Sequence, residues 1–372
     1  MLALVALLHA YIGLRLLPPL PAVAAASGAI ALIGLYLLLL ASLAPIFEAR
    51  TDRPVLVWSG LIGMGFFSSL LVLTVLRELL LAAAWLAGWQ VAVPSAFAVP
   101  ALAAGATALG LLNARRRPAV RRVDVPIAGL PPALAGFSIV QISDLHVGST
   151  IRRNFVQGVV DAANALQPDV VAVTGDSIDG RVHELRPHVA PFAELRARHG
   201  VFAVTGNHEY YSGAAAWIAE FERLGLRVLQ NEHAVLEHDG AALLLAGVTD
   251  FSAGHFDARQ ASDPHGALAG APSSLRPRVL LAHQPRSAPA AADAGFDLQL
   301  SGHTHGGQFL PWRWFVKLQQ PYTAGLHRHG RMWVYISRGT GYWGPPKRLG
   351  APSEITHLRL VPAREGQETQ PA

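Results

Sequence analysis

The hydrophobic pattern divides the chain into two unlike parts. Over the first 114 of its 372 residues apolar side chains run almost without interruption, whereas beyond Phe137 short apolar runs alternate with polar turns. A helix that crosses the hydrocarbon core of a bilayer needs about 20 apolar residues. Residues 22–46 and 55–76 each meet that requirement without a charge, and residues 95–114 meet it despite Pro100. Residues 1–17 form a weaker fourth segment, interrupted by His9 and Arg15 and ended by Pro18-Pro19. Residues 79–93 are apolar but short, and read as an interfacial segment with Trp85 and Trp89 at headgroup depth. A cleaved signal peptide is the rival reading of the first segment. It lacks a basic start, and further apolar spans follow it.

Residues 115–136 carry Pro118, Pro126, Pro131 and Pro132 and read as a basic, proline-rich linker. After it the pattern predicts strands at 137–143, 169–174, 201–205, 242–248, 279–282, 298–300, 334–337 and 355–360. Residues 152–167 place Phe155, Val156, Val159, Val160, Ala163 and Leu166 on one helical face, closed by Pro168, and residues 214–225 predict another helix. Helices alternate with strands early and strands dominate late. The expected fold is therefore a multi-helix transmembrane region, about four helices over 1–114, followed by an α/β layered sandwich over 137–361. The polar tail, 362–372, is expected to be disordered.

Composition sharpens this division. Only 15% of the residues are charged, against about 25% in ordinary globular chains, and the deficit is local. Residues 1–114 carry just Arg15, Glu48, Arg50, Asp52, Arg53, Arg77 and Glu78. From Val123 onward 21 Lys+Arg face 22 Asp+Glu, so the net charge of +5 rests mostly on Arg115, Arg116, Arg117, Arg121 and Arg122. A basic cluster directly after an apolar stretch fits a membrane flank and argues against a nucleic-acid groove. With four spans, Arg50, Arg53 and the five-arginine cluster fall on the cytoplasmic side, and Arg15 and Arg77 outside. This arrangement satisfies the positive-inside rule and puts the second domain in the cytoplasm. The chain has no cysteine, so any transition-metal site must use His, Asp, Glu and Asn.

Such residues follow the strands in a recurring way. The first strand ends in Asp144-Leu145-His146 and the second in Gly175-Asp176-Ser177-Ile178-Asp179. The third ends in Gly206-Asn207-His208-Glu209, a later one in His283, and another in Gly302-His303-Thr304-His305-Gly306-Gly307-Gln308. Ligand sites of open α/β sheets lie at the carboxyl ends of strands, so five strands deliver Asp, His, Asp, Asn, His, His and His to one edge. Mixed carboxylate and imidazole donors suit Mn, Fe, Zn or Co rather than Ca. Seven such groups exceed the needs of one ion, and two ions with a shared carboxylate fit the count. Two metals about 4 Å apart can clamp the attacking and leaving oxygens of an in-line displacement, with a metal-bridging hydroxide as nucleophile.

The order Asp144-x-His146, Gly175-Asp176-x-x-Asp179, Gly206-Asn207-His208-Glu209, His283 and Gly302-His303-x-His305 resembles the calcineurin-like metallophosphoesterase family. It is closest in pattern to the membrane-associated bacterial branch with the Gly-His-Thr-His-Gly-Gly-Gln motif. The resemblance covers about residues 137–360. It implies a first metal on Asp144, His146, Asp176 and His305, and a second on Asp176, Asn207, His283 and His303, with Asp176 bridging. It further implies that His208 faces the substrate and protonates the leaving oxygen, and that Asp179 orients His208 by hydrogen bonding. The expected activity is hydrolysis of phosphodiester, phosphomonoester or pyrophosphate bonds.

Other features have two readings. Phe309 to Lys317 mixes aromatics with cations directly after the histidine motif. It reads either as a packed core edge or as an interfacial wedge in which Trp312 and Trp314 touch lipid or an acyl chain. Arg348, beside Lys347, is a candidate for substrate phosphate. His183, His188, His199, His233, His238, His327 and His329 read as surface histidines. The Gly/Ala/Pro-rich stretch 250–276 reads as a loop that could lie over the active site as a lid. Membrane attachment and the aromatic segment favour a phosphorylated, lipid-linked substrate, with membrane lipid as partner. A non-enzymatic membrane scaffold is the alternative, against which stands a complete ligand set. A transporter is a third reading, and the apolar spans lack the cluster of acids and bases that transport pathways need.

Overall fold

The computed structural model describes residues 2–47 and 53–363. Glu48, Arg50 and Asp52 of the charge argument, and the polar tail from residue 364 onward, lie outside the described residues. The chain forms two units, one up to Arg116 together with Gly344–Leu349, the other Arg117–Trp343 together with Gly350 onward.

The first unit is helical: α1 (Leu2–Leu16), α2 (Ala22–Phe47), α3 (Pro54–Leu86) and α4 (Ala92–Arg115). Among the described residues, three stretches are long and apolar enough to cross a membrane, Ala22–Leu43, Pro54–Leu86 and Ala92–Arg115, and α1 is a shorter apolar helix. Residues 79–86 continue α3 instead of forming the separate interfacial segment expected. Nothing between Arg77 and Leu86 interrupts the helix, and the first break is Gly88, whose φ of 72° turns the chain. Small residues let the helices approach: a Cβ on Gly63 would meet Leu35 at 3.2 Å and Leu38 and Leu39 at 3.5 Å. Arg77 is buried, and its guanidinium donates to Ser95 Oγ (2.8 Å) and to the carbonyls of Arg15 and Ala92 (both 2.9 Å). A buried cation is tolerated when its donors are satisfied in this way. Residues 344–349 also belong to this unit. There Lys347 Nζ donates to the Gly65 carbonyl (2.9 Å) and to the hydroxyls of Ser69 and Thr107.

The second unit carries twelve strands in two six-stranded sheets. The first sheet has the order β1-β12-β2-β3-β4-β5, from β1 (Ala119–Ile127), β2 (Ser138–Ile142), β3 (Val170–Thr174), β4 (Val201–Val204), β5 (Arg227–Val228) and β12 (Glu354–Pro362). The second has the order β10-β11-β9-β8-β7-β6, from β6 (Glu232–His238), β7 (Ala241–Gly247), β8 (Arg278–Leu281), β9 (Leu298–Ser301), β10 (Gly325–His329) and β11 (Met332–Ile336). Helices α5 (Arg153–Asn164), α6 (Val182–Val189), α7 (Asn207–Ser212), α8 (Ala214–Arg223), α9 (Ala288–Ala294) and α10 (Arg313–Val316) complete it. One core joins the facing sheets through Ile139, Val170, Ala172 and Phe202 on one side and Leu243, Leu245, Val279 and Leu298 on the other. The runs of β2 and β3 are buried throughout because helices cover the opposite face, α5 among them through Val156, Val159 and Val160.

The expected linker over 115–136 needs correction. Residues 119–127 form β1, paired in parallel with β12 from Ala119 and Glu354 to Ile127 and Pro362. An edge position explains how the sequence hid this strand, since only an edge accommodates Pro126 and the exposed charges of the run.

One close approach holds the end of β2 in place. Gly341 N donates to the Asp144 carbonyl at 3.0 Å, and a Cβ on Gly341 would overlap the Leu145 carbonyl group and lie 2.9 Å from Ile151 Cδ1. Gly341→Ala should therefore push the Asp144–His146 turn away. The expected cost is about 1–3 kcal/mol of stability, measured as a lowered unfolding midpoint in denaturant.

Candidate metal centre

Parallel strands with short connections bring their carboxyl ends to one edge. Asp144 and His146 follow β2, Asp176 follows β3, Asn207 opens α7 after β4, His283 follows β8, and His303 and His305 follow β9. Their backbone is unusual. Asp144 (φ 53°), His146 (52°), Asp176 (50°), His303 (68°) and His305 (50°) all lie in the left-handed region. Non-glycine residues avoid that region at roughly 1–3 kcal/mol each, and such strain collects where function requires a geometry. It turns each side chain back across the strand ends.

The side chains meet in two groups. The donor atoms of Asp144, His146 and His305 lie within 4.8 Å of one another, as do those of Asp176, His283 and His303. In the first, His146 Nε2 is 3.0 Å from His305 Nε2, which is 3.5 Å from Asp144 Oδ1. In the second, His283 Nε2 is 3.1 Å from Asp176 Oδ2 and 3.3 Å from His303 Nδ1. Asp176 Oδ2 also lies 3.9 Å from His146 Nε2, so this carboxylate stands between the groups. Asn207 Oδ1 is buried without a hydrogen-bond partner. Imidazole nitrogens facing one another, carboxylates between them and an orphaned amide oxygen form a donor set that fits divalent transition-metal ions.

The far sides of these ligands are fixed. His283 Nδ1 is 2.8 Å from the Thr174 carbonyl, leaving Nε2 for the centre. Asp144 accepts from Ser143 Oγ (2.6 Å) and from the His303 amide (2.8 Å). Asp176 Oδ1 accepts from the His208 amide at 2.9 Å. Asp179 Oδ1 lies 2.8 Å from His146 Nδ1 and 2.6 Å from His208 Nδ1. The carboxylate expected to orient His208 thus also contacts His146 of the first donor group. The glycines leave room for this: a Cβ on Gly206 would strike the Asp176 carboxylate, and one on Gly302 the Asp144 carboxylate.

Charge follows from this packing. Burial would raise the Asp176 carboxyl, but His283, His208 and His146 hold it well below the usual range. Burial likewise opposes protonation of His208, yet Asp176 and Asp179 together carry it up to about 9. The two carboxylates thus favour the protonated form of His208, whose Nε2 lies 3.9 Å from Asp176 Oδ2.

Glu209 stands in the same motif, but its role was not legible in the sequence. Its carboxylate accepts from the amides of Gly206 (2.7 Å), Asp176 (2.9 Å) and Ser177 (2.8 Å). It joins the turns after β3 and β4, and burial beside Asp176 pushes its carboxyl up to about 7.

Trp312 and Trp314 are 41% and 64% exposed, with Phe315 and Leu318 beside them at 53% and 81%, so the segment is no packed core edge. Arg348 is placed otherwise than expected. It is 1% exposed within the helical unit, where its amide donates to the Gly110 carbonyl (2.9 Å) and its carbonyl accepts from Asn113 (3.2 Å). Its position in a polar turn made it look accessible, and its burial removes it as a substrate ligand. His199 and His238 are not plain surface histidines either. His199 Nε2 lies 3.0 Å from His238 Nδ1, and both rings pack on Phe137. With Asp169 they form a further His/Asp group, near the amino ends of β3 and β4.

The family model for calcineurin-like phosphoesterases matches residues 137–307. A transmembrane protein with metallophosphoesterase domain from Bos taurus is 41% identical over 280 residues, which is 71% of this chain and 63% of that protein. An uncharacterized metallophosphoesterase of Helicobacter pylori strain J99 is 37% identical over 69% of this chain and 67% of its own length. The uncharacterized metallophosphoesterase YkuE of Bacillus subtilis strain 168 is 32% identical over 62% of this chain and 81% of its own. The chain belongs to the calcineurin-like metallophosphoesterase family, as a membrane protein of it. It spans under two thirds of the length of the cattle protein and of its Danio rerio counterpart, 63% and 60%.

Because Glu209 acts only by holding the two turns, Glu209→Gln should weaken metal binding about 10–100-fold while the fold persists. Competition with a chromophoric chelator measures this. Unchanged affinity would mean that the turns hold their shape without the carboxylate.

Proposed function

We propose that the chain is a dinuclear metal-dependent phosphoesterase with His208 as the acid that protonates the leaving oxygen. The observation that carries this reading is the placement of His208, its Nδ1 2.6 Å from Asp179 Oδ1 and its Nε2 beside the carboxylate that stands between the two donor groups. Asp144, His146, Asp176 and His305 would hold one ion, and Asp176, Asn207, His283 and His303 the other. Two bound ions, drawn from Mn, Fe, Zn or Co, would supply positive charge to the phosphoryl oxygens and activate the attacking water. The side chains do the rest. Asp176 keeps the two sites together, Asp179 fixes the ring plane and tautomer of His208, and His208 Nε2 delivers its proton to the departing alkoxide or phosphate. No serine or cysteine nucleophile is required.

The substrate proposed is an amphiphilic phosphodiester, phosphomonoester or pyrophosphate. Three apolar helices and the exposed Trp312–Leu318 segment support it, the latter as an element that meets lipid. The five arginines from Arg115 to Arg122 support a cytoplasmic location for the phosphoesterase unit.

Full-length protein, stripped of metal and reloaded with Mn or Zn, should hydrolyse bis-p-nitrophenyl phosphate. His208→Ala should lower kcat by about 10²–10⁴ with its metal content intact, and Asp176→Asn should lose turnover together with metal. An undiminished kcat in His208→Ala would remove the assigned acid.

A further inference from the structure

The metal motif says nothing of what lies on the leaving-group side of His208, but the surrounding rings do. Tyr211, Phe256 and Trp343 are large apolar side chains left 65%, 52% and 55% exposed. They come from three separate segments: α7, the 250–276 loop and the turn after β11. Their rings nevertheless form a continuous series through His208. Tyr211 lies 5.3 Å from the His208 ring, Phe256 5.7 Å from Tyr211, and Trp343 5.9 Å from His208. Scattered exposed hydrophobics need no explanation, but a contiguous patch built from distant segments marks a binding surface.

Phe256 and Trp343 have further partners. Tyr210 packs on Phe256 at 5.5 Å. Trp343 is fixed through its backbone, since its amide donates to Gln308 Oε1 (2.9 Å) and its carbonyl accepts from Gln308 Nε2 (2.8 Å). Gln308 itself follows the His303/His305 motif in a left-handed turn (φ 52°). The motif therefore positions Trp343 as well as the two histidines.

We propose that Tyr211, Phe256 and Trp343 form an apolar strip that seats a flexible hydrocarbon chain on the leaving group of the phosphoester. This rests on the reading of His208 as the leaving-group acid, because whatever it protonates must extend past these rings. A planar base is the rival occupant, and ring geometry argues against it. Neighbouring rings are inclined to one another by 67°, 58° and 75°, so no adjacent pair in the series presents parallel faces to a base. A chain that bends across inclined faces buries apolar area on all three.

The test uses the full-length, metal-loaded protein in nanodiscs, titrated calorimetrically with ethyl-, hexyl- and phenylphosphonate, with empty nanodiscs as the partition control. These compounds are not hydrolysed, so the result does not depend on turnover. Hydrolysis of bis-p-nitrophenyl phosphate, assayed in parallel, reports on the phosphoesterase reading by itself. Hexylphosphonate should bind at least about tenfold tighter than ethylphosphonate, as expected when only part of the added chain is buried, and tighter than phenylphosphonate. In Phe256→Ser and in Trp343→Ser, exposed positions whose replacement should leave the unfolding midpoint unchanged, the hexyl preference should fall below about threefold while ethylphosphonate affinity stays the same. Equal affinity for ethyl and hexyl chains, or a hexyl preference that survives both substitutions, would overturn the strip. Tighter binding of phenylphosphonate would overturn the choice of a flexible chain.

Discussion

The carboxylate of Asp176 is the constraint on which the site depends. One oxygen accepts the His208 amide at 2.9 Å, and the other faces His283 at 3.1 Å and His146 at 3.9 Å. To occupy that position the residue takes a left-handed backbone, directly after Gly175 with φ 84°. Four other predicted ligands are strained in the same sense. This cost is sustained by what surrounds the turns: two buried sheets below, Glu209 tying three amides above, and glycines where any Cβ would strike a carboxylate. The strain and its support explain why the motifs mix glycine with ligands so consistently.

The two units solve opposite solvation problems. In the helical unit many apolar side chains face outward, while His9, Ser42, Thr74, Arg77, Ser95 and Thr107 are buried. Arg77 spends its donors on Ser95 and on two carbonyls. In the phosphoesterase unit the buried polar groups gather at one sheet edge, where paired charges and hydrogen bonds offset their desolvation. Most of the large apolar side chains exposed there lie around His208 or in the Trp312–Leu318 segment.

Much of this was legible in the sequence because it depends on local pattern. The buried strands β2, β3, β4, β7, β8, β9, β11 and β12 are apolar runs that end in turn residues, and each was expected within a few residues. The strands not foreseen, β1, β5, β6 and β10, lie at or beside sheet edges and carry arginines, histidines or glutamates, so their apolar signal is diluted. Residues 79–93 misled because segment length alone does not show whether a helix continues past Arg77. At the centre, residue type at the strand ends was enough to anticipate which donor side chains come together. The double contact of Asp179, the three-amide grip of Glu209 and the ring series around His208 could not, since each joins residues far apart in sequence. Arg348 misled for a related reason, because nothing in a short turn signals that the residue is buried.

The central claim is that these residues hold two ions through one shared carboxylate. Its most direct test is the metal count of the purified full-length chain, by calorimetric titration of the stripped protein with Mn or Zn and by elemental analysis after dialysis. The account predicts two equivalents per chain, and Asp176→Asn lowering the affinity of both sites together. A single equivalent, or a second one indifferent to Asp176, would contradict it.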